Sequence, residues 1–349
     1  MHFFVVLILQ MIQQMSKNVN ENELELIQNT GEVLKDITDS GTERPWVKHK
    51  MENLQLVKLY KQALKRDKHI ITTKRLFDLT SCGDTLVFAQ DKQGRRKLTS
   101  ANFCRIRLCP MCQWRRRMKL YSQVNQITNE LFNQDNTVRF IFATFTIKNC
   151  LASELDRTID KMNYKFKYIT SAKNNFVPTK EFKKNLLGYI KAIEVTYNSQ
   201  KNTYHPHVHC IFAIKPIYFK KGYIKREHWQ KIWQKAMNLD YLPLVDVRAV
   251  KGYNSKAIAE LAKYPVKTAP ILELYDKQAI EVITTLTEQL HKKRFISFGG
   301  VFKVIKQQLK LKNVETDIDL IHIANDDIKF NPVCQIMFKY NVHFGCYIN

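Results

Sequence analysis

Hydrophobic positions along this chain follow two periods. Phe140–Ile147 reads Phe-Ile-Phe-Ala-Thr-Phe-Thr-Ile, an unbroken run of β-branched and aromatic residues that predicts a buried strand. Tyr189–Tyr197 predicts a second strand, the polar stretch 198–203 a turn, and Tyr204–Ile214 a third strand, so the last two form a hairpin. Val245–Val250 is a further short strand, and strand-like pieces such as Thr85–Ala89 lie within 76–110. Helical spacing covers 51–70, 111–135, 152–174, 225–238, 255–264 and 274–293, and the signal weakens beyond. The 255–264 helix opens on Asn254 or Ser255 as N-cap and stops at Pro265. Residues 16–50 are polar and acidic and are expected to be loosely ordered. Strands joined by turns and flanked by helices predict an α+β fold built on an antiparallel sheet, not a doubly wound one.

Composition adds a partner to this picture. Lys and Arg number 56 against 32 Asp and Glu, a net charge of +24. The first 50 residues hold five Lys/Arg and seven Asp/Glu, so the remaining 299 carry an excess of 26 positive charges. Such an excess over a folded body is the footprint of a phosphate-backbone partner. No 18-residue apolar run exists, so no transmembrane helix is expected. Phe3–Ile12 is apolar but lacks a basic flank and a small-residue cleavage site; Met15 reads as the start, with the first 14 residues an upstream extension or tail. Gly-x-x-x-x-Gly-Lys-Ser/Thr is absent, so no built-in nucleotide motor is expected. The expected layout is a loosely ordered 1–50, a basic, Cys-rich 51–135, a catalytic 136–270 and a helical or mixed extension 271–349.

The chemistry concentrates in His205-Pro206-His207-Val208-His209. Side chains alternate along a strand, so the three imidazoles share one face with Val208 and Cys210 behind them. Imidazoles on a stiff strand make half of a divalent-metal site; the bland alternative is core histidines bonded to backbone. A further protein ligand is required. With a 198–203 turn, Glu194 falls opposite His207 and is the first candidate, His205 the second, though Glu194 also reads as an ordinary strand carboxylate. A histidine and carboxylate set suits Mg²⁺ or Mn²⁺.

On the 255–264 helix, Glu260 and Tyr264 stand four residues apart and share a face. A phenol and a carboxylate there suit two successive phosphoryl transfers, the first by nucleophilic attack and the second by general-base activation. Lys263 and Lys267 are placed to hold a DNA backbone. Taken alone this pair is a weak signal, since a tyrosine beside proline is more often packing. Cys104, Cys109 and Cys112 form Cys-x4-Cys-Pro-x-Cys, and Cys82 lies 22 residues upstream, a pattern resembling a four-cysteine Zn²⁺ knuckle or ribbon. Arg115, Arg116, Arg117 and Lys119 follow on a basic helix suited to phosphate contact.

Three of these motifs, in order, resemble a known family. Phe142–Asn149, His205–His209 and Glu260–Tyr264 are similar to the three motifs of rolling-circle replication initiators of small Gram-positive plasmids, the Rep proteins of the HUH endonuclease superfamily. The resemblance spans about residues 80–310. It implies a five-stranded antiparallel sheet carrying the ion, with His207 and His209 as the ligand pair, Tyr264 as the single nucleophile and Glu260 as the terminating acid. It further implies a nick at a single-stranded or hairpin-extruded plasmid origin leaving a 5′-phosphotyrosine, a host helicase partner and a bacterial cytoplasmic setting. A one-tyrosine transposase or relaxase shares this chemistry. A non-catalytic zinc-containing DNA-binding regulator is the alternative of another class.

Overall fold

The computed structural model describes residues 26–27, 29–38, 40–66, 69–173, 175–250, 255–262, 266–323 and 330–349. Its strands are β1 (Leu26–Ile27), β2 (Thr85–Asp91), β3 (Arg96–Ala101), β4 (Arg139–Thr146), β5 (Leu186–Asn198), β6 (Thr203–Ile214), β7 (Val245–Val250), β8 (Ile296–Gly300), β9 (Pro332–Asn341) and β10 (Cys346–Ile348). Its helices are α1 (Trp46–Arg66), α2 (Thr73–Thr80), α3 (Pro110–Gln134), α4 (Leu155–Thr170), α5 (Lys180–Asn185), α6 (Arg226–Met237), α7 (Ser255–Leu261), α8 (Ala269–Leu272), α9 (Asp276–Gln289) and α10 (Val301–Gln308).

Two compact units share these elements. The larger comprises 45–84 and 101–327 and is built on an antiparallel sheet in the order β7-β4-β6-β5-β8. This is the five-stranded α+β architecture that the sequence predicts. The histidine strand β6 lies at its centre, and its alternation decides what each face does. Val208, Cys210 and Phe212 are fully buried on one side. There Phe212 meets Phe166 of α4, Phe182 of α5 and Trp229 of α6 at centroid distances of 6.2, 5.2 and 6.2 Å. Each such ring contributes about 2–3 kcal/mol on burial, which locks the register and forces the intervening histidines to the opposite face. The fifth strand, β8, comes from beyond residue 270. It approaches β5 so closely that a Cβ on Gly188 would meet the Gly299 carbonyl at 2.6 Å.

The smaller unit comprises 1–44, 85–100 and 328–349, as far as these are described. In it β9 pairs antiparallel with β2, which pairs with β3. On its other edge β9 takes β1, parallel, beside Gln335 and Ile336, and β10, antiparallel, beside Lys339–Asn341. The sequence marks Thr85–Ala89 of β2 but not the sheet, because β2 pairs with β9 across most of the chain and pairing at such separation leaves no local mark. Neither unit coincides with one continuous segment among 1–50, 51–135, 136–270 and 271–349. The loose order expected through residue 50 is corrected for its described part. Leu34 N–H donates to the Tyr347 carbonyl at 2.9 Å, and α1 already starts at Trp46, which is 2% exposed. The start assigned to Met15 lies outside the described residues. Among the described residues no helix is long and apolar enough to cross a membrane.

Candidate metal and catalytic site

The hairpin β5–β6 sets Glu194 directly opposite His207, and β4 sets Thr144 opposite His209 and Thr146 opposite His207. These pairs lie on the face away from the aromatic core. There Glu194 Oε2 stands 3.2 Å from His207 Nε2 and 3.1 Å from His209 Nε2. The candidate ligand atoms of all three residues lie within 4.8 Å of one another. Each imidazole is held from behind. His207 Nδ1 faces the His205 carbonyl at 3.3 Å and His209 Nδ1 the Thr144 hydroxyl at 3.2 Å. Anchoring one ring nitrogen so that the other points inward is how proteins orient metal-ligating histidines.

The donor set fits a cation. The His205 carbonyl can only accept, so His207 Nδ1 carries a hydrogen, and Nε2 faces the carboxylate across either a second hydrogen or a metal ion. Two facing acceptors need a positive charge between them. Glu194 Oε1 is buried and has no hydrogen-bond donor; Lys267 Nζ reaches it at 3.1 Å as an ion pair without hydrogen-bond alignment. Burial by itself pushes the Glu194 carboxyl up. Hydrogen bonds from His207 and His209 and the charges of His207 and Lys267 outweigh it and hold the group well below the ordinary carboxylate range. Glu194 is therefore an anion at neutral pH, although only 2% exposed.

His205, the second-choice ligand, does not join the group. Its Nδ1 pairs with Asn149 Oδ1 at 3.0 Å instead. Thr144 and Asn149, which orient His209 and His205, were not singled out from sequence as site residues. Both lie within the Phe142–Asn149 motif, but which histidine each one meets is set by how β4 and the residues after it run beside β6. Glu260 on α7 places Oε1 3.9 Å from His209 Nε2 and is the fourth group at the site. Lys263 and Tyr264 lie outside the described residues. Lys267, expected on a DNA backbone, is carried to Glu194 by a parallel bridge between Val195 and Val266.

The four cysteines form a second cluster. Cys82 follows α2, Cys104 lies in the loop after β3, Cys109 is the N-cap of α3 and Cys112 lies in its first turn. The Cys82–Cys112, Cys104–Cys112 and Cys82–Cys109 sulfur pairs are 3.7, 3.7 and 3.5 Å apart. Four sulfurs at ~2.3 Å from a tetrahedral zinc stand ~3.8 Å apart, whereas a disulfide requires ~2.0 Å. Backbone N–H groups of Cys104 and Arg105 donate to Cys82 Sγ and Cys112 Sγ at 3.3 and 3.2 Å, and Asn53 Nδ2 to Cys109 Sγ at 3.5 Å. Arg105 adopts φ +60° to make this turn. Burial pushes the Cys109 thiol up, but the sulfurs of Cys104, Cys112 and Cys82 converge on it and hold it well below its ordinary value. Buried Lys50 closes the Cys82 loop, donating to the Cys82 carbonyl at 2.8 Å and pairing with Asp84 at 2.6 Å. Nothing in the sequence marks that lysine.

The basic helix is corrected. Arg115, Arg116 and Lys119 are 4, 5 and 8% exposed. Arg115 donates to the carbonyls of Leu320 and Ile321 at 2.8 and 2.6 Å, Arg116 to that of Arg105 at 2.9 Å, and Lys119 pairs with Asp317 at 2.7 Å. Arg115 and Lys119 pin the 317–321 segment and Arg116 holds the turn at Arg105, so none of the three is presented to a phosphate chain. Arg117 is exposed, as a DNA contact requires.

Comparison with known proteins agrees with this geometry. Residues 95–348 match the model of a family described as replication protein. The chain is 35% identical over 325 residues to a protein rep of Streptococcus pneumoniae serotype 2, covering 91% of this chain and 96% of that one. It is 38% identical over 310 residues to a protein rep of Lentilactobacillus hilgardii, covering 86% and 93%. It is 35% identical over 219 residues to a replication protein of Staphylococcus aureus, covering 60% and 90%. No solved structure matches the chain significantly. With a family match over most of its length and relatives covered almost end to end, the chain belongs to the Rep replication-protein family, the plasmid rolling-circle initiators to which its three motifs pointed.

Proposed function

We propose that this initiator nicks one strand at its plasmid's double-strand origin and rejoins it at termination. The observation that carries the reading is the convergence of Glu194, His207 and His209 on one point, with Glu260 facing it. A divalent ion, Mg²⁺ or Mn²⁺, held by these three ligands supplies charge stabilisation to the scissile phosphate. Tyr264 stands four residues after Glu260 in the sequence, which supports it as the nucleophile. Its oxygen attacks phosphorus, the ester bond to the 3′ oxygen breaks, that oxygen leaves with a proton as a free 3′-OH primer, and the 5′ phosphate stays on the tyrosine. At the regenerated origin Glu260 takes a proton from water, the hydroxide attacks the phosphorus there and the 3′ oxygen leaves as a new 3′-OH; that hydroxyl attacks the phosphotyrosine phosphorus, the bond to the tyrosine oxygen breaks, and the strand is rejoined with the phenol regaining its proton. A structural Zn²⁺ on Cys82, Cys104, Cys109 and Cys112 holds α1, α2 and α3 together. The protein works in the bacterial cytoplasm on single-stranded or hairpin-extruded origin DNA, with a host helicase opening the duplex ahead.

The test is incubation with supercoiled DNA carrying the candidate origin and Mn²⁺, then a search for a covalent protein–DNA adduct. Tyr264→Phe keeps the ring and loses the oxygen, so the adduct disappears while DNA binding survives. An adduct of normal yield with the phenylalanine variant moves the nucleophile elsewhere, Tyr253 first, another residue outside the described part.

A further inference from the structure

A cleft of about 360 Å³ opens between α1, the start of α3 and residues 266–270. Trp114 forms one wall. Its ring stacks on His49 with centroids 5.1 Å apart and planes 29° apart, and meets Trp46 edge-on at 4.6 Å. Trp46 is buried, and His49 and Glu52, which also line the cleft, pair at 3.0 Å (Nδ1 to Oε2), so the indole is held in place. Lys48, Arg117 and Lys267, all exposed, also line the cleft. Lys267 is the same lysine that touches Glu194, so the cleft ends at the candidate metal ligands.

An aromatic wall beside three cations has a specific chemical complement. Backbone phosphates pair with the cations, and an unstacked base offers a flat π-face to the indole. Duplex DNA does not fit this slot, because its bases already cover one another's faces. An acidic peptide would use the cations but not the indole face. The position is equally restrictive: a strand whose phosphate sits at Glu194, His207 and His209 runs next into this cleft by way of Lys267.

We propose that the Trp114 cleft binds one unpaired base of the DNA strand, beside the phosphate to be cleaved, and so positions that phosphate at the metal site. The location beside the scissile phosphate rests on the nickase reading; single-strand stacking on Trp114 does not. The indole is a positioning residue that accepts any base and contributes affinity without sequence choice.

The experiment uses the full-length protein with two fluorescent probes, a thymidine 12-mer and an abasic 12-mer with the same backbone. Wild-type protein binds the thymidine probe more tightly. Trp114→Ala lowers the ratio of the two affinities about ten-fold and leaves affinity for the abasic probe unchanged, while Trp114→Phe keeps most of the preference. A ratio unaltered in Trp114→Ala, including equal weakening toward both probes, overturns the proposal. A second measurement needs no variant. A thymidine 12-mer carrying one 4-thiothymidine, irradiated with wild-type protein, crosslinks within residues 46–52, 110–117 or 266–270. Crosslinks confined to other segments overturn it as well. Neither probe carries an origin. A protein that stacks the 12-mer on Trp114 yet forms no adduct with supercoiled plasmid keeps the cleft as a single-strand site and loses the nickase reading.

Discussion

The Thr144 hydroxyl stands 3.2 Å from Nδ1 of His209, and this one contact fixes the ring so that Nε2 turns inward. With Nδ1 engaged, Nε2 points to Glu194. Thr144→Val keeps shape and burial but removes the oxygen. It is expected to weaken Mn²⁺ binding about 10- to 100-fold, read by titrating the metal requirement of nicking. The double variant His207→Ala, His209→Ala is expected to abolish nicking while retaining most DNA affinity, which comes from the net positive surface. Full nicking by the double variant in EDTA would remove the metal site.

The cysteine cluster makes a separate prediction. One zinc should appear in the native mass of the protein and vanish in Cys109→Ser. That variant should also unfold at lower temperature, because α1, α2 and α3 meet through this cluster and zinc binding is coupled to folding. A metal-free native mass after gentle preparation counts against the site.

The proposed mechanism requires a second attacking group for termination once Tyr264 is occupied. Glu260→Gln removes a general base without changing size. Nicking should stay near normal, while products longer than one plasmid unit accumulate on gels of replication intermediates. Unit-length products at ordinary yield would reduce Glu260 to a carboxylate beside His209.

Lys119 and Arg117 lie two residues apart on one helix, yet their substitutions should separate cleanly. Lys119→Ala strands buried Asp317 and should cost about 3 kcal/mol of stability. Burial pushes the Asp317 carboxyl up, but the close Lys119 ammonium and the Asp319 N–H that donates to Oδ1 hold it below its ordinary value. The stabilisation from this pair is therefore complete above the ordinary carboxylate pKa and is lost as pH falls below it. In Lys119→Ala that acid-dependent part should be missing from urea melts at pH 7 and pH 3. Arg117→Ala should leave the melts unchanged and reduce the salt slope of DNA binding by about one. A reduced slope in Lys119→Ala with unchanged melts would reverse this assignment.

Local pattern alone was enough for the histidine strand, its hairpin partner and the cysteine spacing. Strand alternation is a period of two, so His207 and His209 share a face by covalent geometry, and a short turn limits where Glu194 can fall. The four cysteines were likewise legible, because thiols gathered at knuckle spacing in a basic chain have few other uses. Tertiary structure alone decided the rest. Arg115, Arg116 and Lys119 read as a phosphate-binding run; only the 317–321 segment, some two hundred residues away, shows that Arg115 and Lys119 are consumed internally, and only the Arg105 turn shows it for Arg116. Asn149 draws His205 out of the ligand group through side-chain reach that no spacing encodes. The sheet of β1, β2, β3, β9 and β10 joins both ends of the chain, and pairing at such separation depends on how the intervening fold returns the strands to each other. Glu260 reaches His209 for the same reason: the face of a helix follows from sequence, but what that face meets is set by where the helix lies on the sheet.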